Sequence, residues 1–264
     1  MERSLRELAP RTRWVGSRVD YHAEVDSTNL VADALARAGA PEGTLVVADA
    51  QTAGRGRLGR TWFSPPGKSL FLSLVLRPKI RADAAHGYVF AAAVAVAETA
   101  SAWLPAGARV EIKWPNDVLV GGKKLSGINL PAQLEGDRVA WLVLGIGVNV
   151  NLEATDLPPE LAGIATSLAI AAGAAQDRVA FAEALLLRLE TWLDRLRADG
   201  LAPVLDLYRD YFRMRGSRVR VGGPGIAREI EGIADALAED GALVVRTSAG
   251  LERVLAGDVF LVGG

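Results

Sequence analysis

Apolar and polar positions change rhythm along this chain, and each rhythm predicts an element. Residues 44–50 and 70–76 are nearly unbroken apolar runs, the pattern of strands buried on both faces, and they are expected to pair in the middle of one sheet. Residues 26–39 are alanine-rich and amphipathic, which predicts a helix capped by Asp26 or Ser27 and stopped by Gly39. Residues 84–104 are apolar almost all round, so a long buried helix is expected there. A short strand over 109–113 breaks at Trp114-Pro115-Asn116-Asp117, because proline cannot donate to a strand ladder. Residues 118–120, the Gly121-Gly122 turn and 124–130 read as a hairpin, and 139–150 as a further strand. That last strand carries Gly145, Gly147 and Asn149, small residues that let backbone approach something closely.

The second half is more helical before it changes texture. From Asp177, the residues Ala182, Leu185, Leu186, Leu189, Leu193 and Leu196 recur at helical spacing until Gly200, and a second helix is expected over roughly 202–214. From Gly216 the pattern turns to short runs, 218–221, 230–237, 242–247 and 253–262, with a turn at Glu239-Asp240-Gly241, which predicts a small β-barrel. Residues 1–20 read as a lead-in with one strand.

Composition narrows the chemistry. Half of the 264 residues are apolar and the net charge is −1, as in a folded soluble protein, and such a balance argues against general nucleic-acid affinity. There are no cysteines, which excludes disulfides, thioesters and cysteine-ligated zinc, and the only histidines, His22 and His86, are not spaced as metal ligands. Catalysis must therefore run on Lys, Arg, Asn and Asp. The first residues are charged rather than signal-like, and the longest apolar tract, 88–97, is too short to span a bilayer, so a cytoplasmic protein without a membrane partner is expected.

The stretch Gln51 to Trp62, QTAGRGRLGRTW, follows a predicted strand and alternates glycine with arginine. Glycine lets backbone N–H groups approach a ligand, and arginine brings a planar five-donor fork, so an anion is expected there. Such a loop also serves as a solvated turn, but Trp62 and Phe63 beside it suggest a ring stacked next to a phosphate. Neither a Walker loop nor a dinucleotide fingerprint is present. Ser27, Thr28 and Asn29 are either helix-capping residues or small hydrogen-bonding groups for a polar, uncharged ring. Lys123 and Lys124 are adjacent, and strand alternation sends one of them inward while the other stays wet.

Together, GRGRLGRTWFSP at 54–65, STN at 27–29, KWPND at 113–117, KKLSGI at 123–128 and GIGVNVN at 145–151 resemble the motifs of the biotin-protein ligases, in the same order and with similar spacing. The resemblance implies an α+β fold: a mixed-sheet catalytic domain over residues 1–215, related to class II aminoacyl-tRNA synthetases, and an SH3-like C-terminal β-barrel over 216–264. It implies the monofunctional type without an N-terminal DNA-binding domain, since 1–20 leaves no room for a winged helix, and hence no DNA partner. The reaction it implies joins biotin to ATP, giving biotinyl-5'-AMP, and transfers biotin to a lysine of the biotin carboxyl carrier protein domain of acetyl-CoA carboxylase or a related carboxylase. By position, Ser27, Thr28, Asn29 and Gln51 match contacts to the biotin head. Arg55, Gly56 and Arg57 match the loop that closes over biotin and the adenylate, Lys124 the lysine near the acyl carbonyl, and Trp62 the aromatic that packs on adenine. Asn116, Asp117 and Asn149 stand where the family holds nucleotide, Mg2+ or both, with Asp117 the expected metal contact. Lys124, Arg55, Arg57 and Asp117 are the expected catalytic set, Asp117 serving either as base or to order Lys124.

The chain departs from that pattern in places. After Gly127-Ile128 the family continues with aliphatic residues and a glutamate, whereas Asn129 and Pro131 stand here, and Pro66 and Lys68 replace a more apolar turn. A lipoate or octanoyl transferase shares the fold but lacks the GRGR and KWPND pairing. A biotin-operon repressor would need a DNA-binding module, and a pure biotin-binding protein would not need these arginines, the tryptophan and the aspartate together. Sheet-edge pairing is a route to the carrier or to a homodimer that the sequence leaves open.

Overall fold

A computed structural model describes residues 4–223, 228–255 and 257–262. The ends of the two expected domains, 1–3 and 263–264, lie outside those residues. In chain order the elements are β1 (Arg18–Val25), α1 (Thr28–Arg37), β2 (Thr44–Gln51), β3 (Ser69–Leu76), α2 (His86–Trp103), β4 (Val110–Lys113), β5 (Asp117–Val120), β6 (Lys123–Asn129), β7 (Ala132–Glu135) and β8 (Arg138–Asn149). There follow the short α3 (Pro159–Ala162) and α4 (Leu168–Ala172), the long α5 (Arg178–Asp199) and α6 (Ala202–Tyr211). The C-terminal strands are β9 (Arg218–Gly222), β10 (Ile230–Leu237), β11 (Leu243–Thr247), β12 (Gly250–Val254) and β13 (Asp258–Leu261).

The first eight strands form one mixed sheet in the order β1-β2-β3-β8-β6-β5-β4, with β7 on β8. Only β1 and β2 run parallel; the other pairs are antiparallel. Alternation divides the sheet's faces. Leu70, Leu72, Leu74 and Leu76 of β3, with Leu142, Leu144 and Ile146 of β8, face a large core shared with α2, α5 and α6. On the other face Val46, Val75 and Val143 pack against Ala32 and Ala36 of α1. The single helix α1 is too short to roof that face, and the uncovered part becomes the site.

Several expectations shift in detail. The helix 26–39 runs over Thr28–Arg37, and Ser27 occupies its N-cap position without a side-chain bond to it, while Asp26 accepts from Thr52 Oγ1 at 3.0 Å. Gln51 takes over the capping task, its Oε1 accepting from the Thr28 N–H at 2.8 Å. The second C-terminal helix stops at Tyr211 rather than 214. The expected strand 253–262 is two strands, β12 and β13, separated by residues 255–257, of which 256 lies outside the described residues. Asp177 caps α5 as expected, accepting from the Val179 and Ala180 N–H groups at 2.9 Å. The Gly121-Gly122 turn has φ of 56° and 77°, the left-handed pair a tight hairpin demands. The C-terminal strands form a five-stranded antiparallel sheet in the order β12-β11-β10-β9-β13. That sheet docks on the larger body through Trp114 Nε1, which donates to the Gly241 carbonyl at 2.9 Å, and through His86, whose Nε2 lies 2.8 Å from the Asp240 carbonyl oxygen.

Candidate functional site

Two cross-strand rows make the floor of the uncovered face. In the first, Ser73 of β3, Gly145 of β8 and Asn129 of β6 stand opposite one another; in the second, Phe71, Gly147, Gly127 and then Asp117 of β5 do. Directly opposed residues of antiparallel strands share a face, so each row is one strip of floor. The glycines are required because side chains lie on them from above. A Cβ on Gly145 would stand 2.2 Å from Asn29 Oδ1, one on Gly147 2.8 Å from Trp62 Cε2, and one on Gly127 2.7 Å from Trp62 Cζ3. The first row therefore carries Asn29, at the start of α1, and the second carries the Trp62 indole.

Above this floor is a small cavity of about 50 Å³, open to solvent on one side. Ser27, Thr28, Asn29, Gln51, Arg55, Gly56, Arg57, Trp62, Asn116 and Lys124, all of them candidates from sequence, border it. Its neutral end is wired from beneath: Ser73, fully buried, lies with its Oγ 2.8 Å from Thr28 Oγ1 and 2.6 Å from Asn29 Oδ1. Gln51 Nε2 donates to Ser64 Oγ at 3.3 Å, and Ser64 in turn donates to the Trp62 carbonyl at 2.9 Å, so the helix start and the glycine-arginine loop share one set of bonds.

The cationic end is a chain of contacts. Arg57 Nη1 donates to Asn116 Oδ1 at 2.7 Å, Asn116 Nδ2 donates to Asp117 Oδ1 at 3.1 Å, and that oxygen pairs with Lys124 Nζ at 2.8 Å. Lys124 also stands 5.2 Å from the centre of the Trp62 ring, whose Nε1 is buried and has no partner among the described residues. Lys123 is exposed while Lys124 turns inward, as alternation predicts. On β4, burial lowers the Lys113 pKa, with Asp117 drawing it back up and Lys124 pressing it down.

The loop folds back on itself between its glycines. The Trp62 N–H donates to the Gly54 carbonyl at 2.8 Å and the Gly56 N–H to the Arg60 carbonyl at 2.7 Å. Its outer side touches the C-terminal sheet: Arg57 Nη2 donates to the Gly257 carbonyl at 3.4 Å, and Arg60 pairs with Asp258 at 2.5 Å and stands 5.8 Å from the Phe260 ring centre.

Two candidates stand apart from the cavity wall. Asp117 reaches it only through Lys124 and Asn116. Asn149 is buried, and its Nδ2 donates to the Thr166 carbonyl at 2.9 Å. The segment it holds is the one that holds Lys124, whose N–H donates to the Ile164 carbonyl at 2.7 Å and whose carbonyl accepts from Thr166 at 2.9 Å. No group of three or more His, Cys, Asp or Glu side chains suited to a metal occurs among the described residues, and Asp117 is already paired, so this donor set does not fit a resident magnesium ion. Sequence reasoning missed Ser73 and Ser64. Ser73 had a signal, being the polar interruption of an aliphatic strand.

Known proteins share this sequence and fold. Residues 21–149 match the model of the Biotin/lipoate A/B protein ligase family, and residues 216–262 that of the Biotin protein ligase C terminal domain. The bifunctional ligase/repressor BirA of Bacillus subtilis is 39% identical over 255 residues, spanning 95% of this chain and 76% of that protein. The biotin--[acetyl-CoA-carboxylase] ligase of Paracoccus denitrificans is 37% identical over 253 residues, spanning 91% of this chain and 99% of that one. Among solved structures, the biotin protein ligase of Aquifex aeolicus in complex with biotin and ATP superposes with a TM-score of 0.78 at 30% identity, covering 94% of this chain and all of that one. By identity, coverage and fold alike, this chain belongs to the biotin protein ligases.

Proposed function

We infer that the cavity is where biotin is joined to AMP and then passed to a protein lysine, making the chain an ATP-dependent biotin--[acetyl-CoA-carboxylase] ligase. The observation that carries this reading is convergence: the STN turn, the GRGR loop, Asn116 of KWPND and Lys124, far apart in sequence, border one cavity with neutral hydrogen-bonding groups at one end and cations at the other.

The chemistry needs both ends. A carboxylate is a poor electrophile, and bringing it against the ATP phosphates sets an anion against a polyanion. As its oxygen bonds to the α-phosphorus and pyrophosphate leaves, negative charge accumulates where Arg55, Arg57 and Lys124 can meet it; each charged hydrogen bond contributes roughly 1.5–3 kcal/mol. Magnesium would enter with the ATP as counter-ion of its phosphates rather than on a carboxylate of the protein, since Asp117 lies behind the cavity wall and is paired. Asp117 orders Lys124, the two being 2.8 Å apart. Trp62 offers adenine a ring face, and the mixed anhydride survives because the loop shuts water out. In the second step the acceptor amine attacks the acyl carbonyl, loses its proton and expels AMP.

Ser27, Thr28, Asn29 and Gln51 take the biotin head. Residues 1–215 carry the chemistry, and 216–264 form a second domain that backs the loop. The acceptor is a lysine of the biotin carrier domain of acetyl-CoA carboxylase or a related carboxylase, acetyl-CoA carboxylase being the partner in the name of the Paracoccus denitrificans ligase. No helix among the described residues is long and apolar enough to cross a membrane, and a need for ATP and a carboxylase suits the cytoplasm. The test is to incubate the purified chain with biotin, Mg-ATP and a carrier domain, then detect bound biotin and released pyrophosphate. Label on the carrier lysine supports the reading; neither label nor biotin-dependent pyrophosphate overturns it.

A further inference from the structure

The geometry points to Asn129 as a specificity-determining residue: its carboxamide Nδ2 donates a hydrogen bond to the ureido carbonyl oxygen of the bound biotin ring. This assignment rests on the reading of the cavity as a biotin site.

Asn129 borders the cavity and stands directly opposite Gly145 in the β6–β8 ladder. Because Gly145 has no side chain, the Asn29 carboxamide occupies the space its Cβ would take, which brings Asn29 and Asn129 to one strip of floor. Each amide has its oxygen engaged and its nitrogen free. Asn29 Oδ1 lies 2.6 Å from Ser73 Oγ, and Asn129 Oδ1 accepts from the Leu130 N–H at 3.0 Å. Among the described residues, nothing accepts from either Nδ2. Both residues line the cavity, on the strip of floor next to the one over which Trp62 and Lys124 lie. A pair of amide donors calls for a hydrogen-bond acceptor, and the uncharged biotin head carries one strong acceptor, its ureido oxygen. A dithiolane ring offers only weak sulfur acceptors, so the same residue disfavours a lipoyl-type head.

The bond from Leu130 could make Asn129 no more than the local end of β6 before Pro131, and one variant separates the roles. Asn129→Asp keeps the acceptor for Leu130 and replaces the donor by an acceptor. In biotin-dependent pyrophosphate exchange with the full chain, Asn129→Asp is expected to raise the KM for biotin about tenfold or more, the loss of one desolvated hydrogen bond, with kcat within about twofold and Tm unchanged. 2-Iminobiotin carries a cationic guanidinium group in place of the urea, so Asn129→Asp is expected to lower its KM relative to the wild type. Asn129→Leu, close in shape, should raise the KM for biotin without favouring 2-iminobiotin. An unchanged KM for biotin in Asn129→Asp, or an equal change for both ligands, overturns the assignment while leaving the ligase reading intact. Absence of biotin-dependent exchange in the wild type overturns both.

Discussion

The floor of the cavity and the loop above it are held by opposite means. The floor is central β-sheet, paired on both sides, with its glycines pressed against Asn29 and Trp62 and its polar residues bonded from beneath by Ser73. The loop from Gly54 to Trp62 lies outside the named strands, closes on itself through three backbone bonds, and is braced from outside by Arg57, Arg60 and the C-terminal sheet. A rigid half suits recognition of a ring whose shape is fixed; a braced but releasable half suits substrates that must enter and leave. Substitutions in the floor should therefore act on binding geometry, and substitutions in the loop on retention.

The largest effect is expected at the junction of the halves. Lys124→Ala removes the cation that stands between Asp117 and Trp62, and biotin-dependent pyrophosphate release should fall by about 10²- to 10³-fold, the size seen when one preorganised charge-stabilising donor is lost. With Lys124 half exposed and its neighbours retaining their backbone bonds, Tm should barely move. An unimpaired rate would remove Lys124 from the chemistry.

Next comes the floor. Gly145→Ala drives a methyl into the Asn29 carboxamide, which cannot stay where it is with only 2.2 Å available. The KM for biotin should rise about 10- to 100-fold with a smaller change in kcat, because orientation of the head is lost rather than charge. A variant that binds biotin as wild type would show that the floor gives way easily, and the contrast with the loop would fail.

These two sites also show what the sequence could and could not disclose. Strands β2 and β3 and helices α2 and α5 were legible because burial on both faces, or a continuous leucine stripe, leaves a strong periodic mark. The edge strand β1 left only a faint mark, a strand expected within 1–20 that in fact runs over 18–25, and the short β7 left none, since both are largely half-buried or exposed and alternate weakly. Gly145 and Gly147 announced a close approach, but not that Asn29 and Trp62 make it. Asn149 shares a strand face with them, yet its carboxamide turns to Thr166, a bond set by the 164–167 segment and invisible to periodicity. Arg57 was legible as a cation, whereas its bonds to Asn116 and Gly257 depend on tertiary placement.

On the loop side, Arg57→Gly removes both of those bonds and adds backbone freedom. Adenylation should slow by about tenfold or less, since Arg55 and Lys124 remain, while biotin should appear on bystander proteins mixed into the reaction as the adenylate escapes. Streptavidin blotting of such a mixture is the readout. Labelling confined to the carrier domain would mean that the loop retains the adenylate without Arg57.

The smallest effect tests whether the brace itself matters. Arg60 is mostly exposed and Asp258 largely covered, and an ion pair of that kind contributes about 0–1 kcal/mol. Asp258→Asn should leave Tm within about 2 °C, because β13 keeps its ladder with β9. If the pair biases the loop toward closure, the KM for ATP should rise by up to about fivefold, the most that 1 kcal/mol allows. Added salt screens the same pair, so the wild type should drift toward the variant as ionic strength increases, while Asp258→Asn responds less. Equal salt sensitivity in the two proteins would mean that the C-terminal sheet meets the loop without governing it, and closure would then rest on Arg57 and the substrates alone.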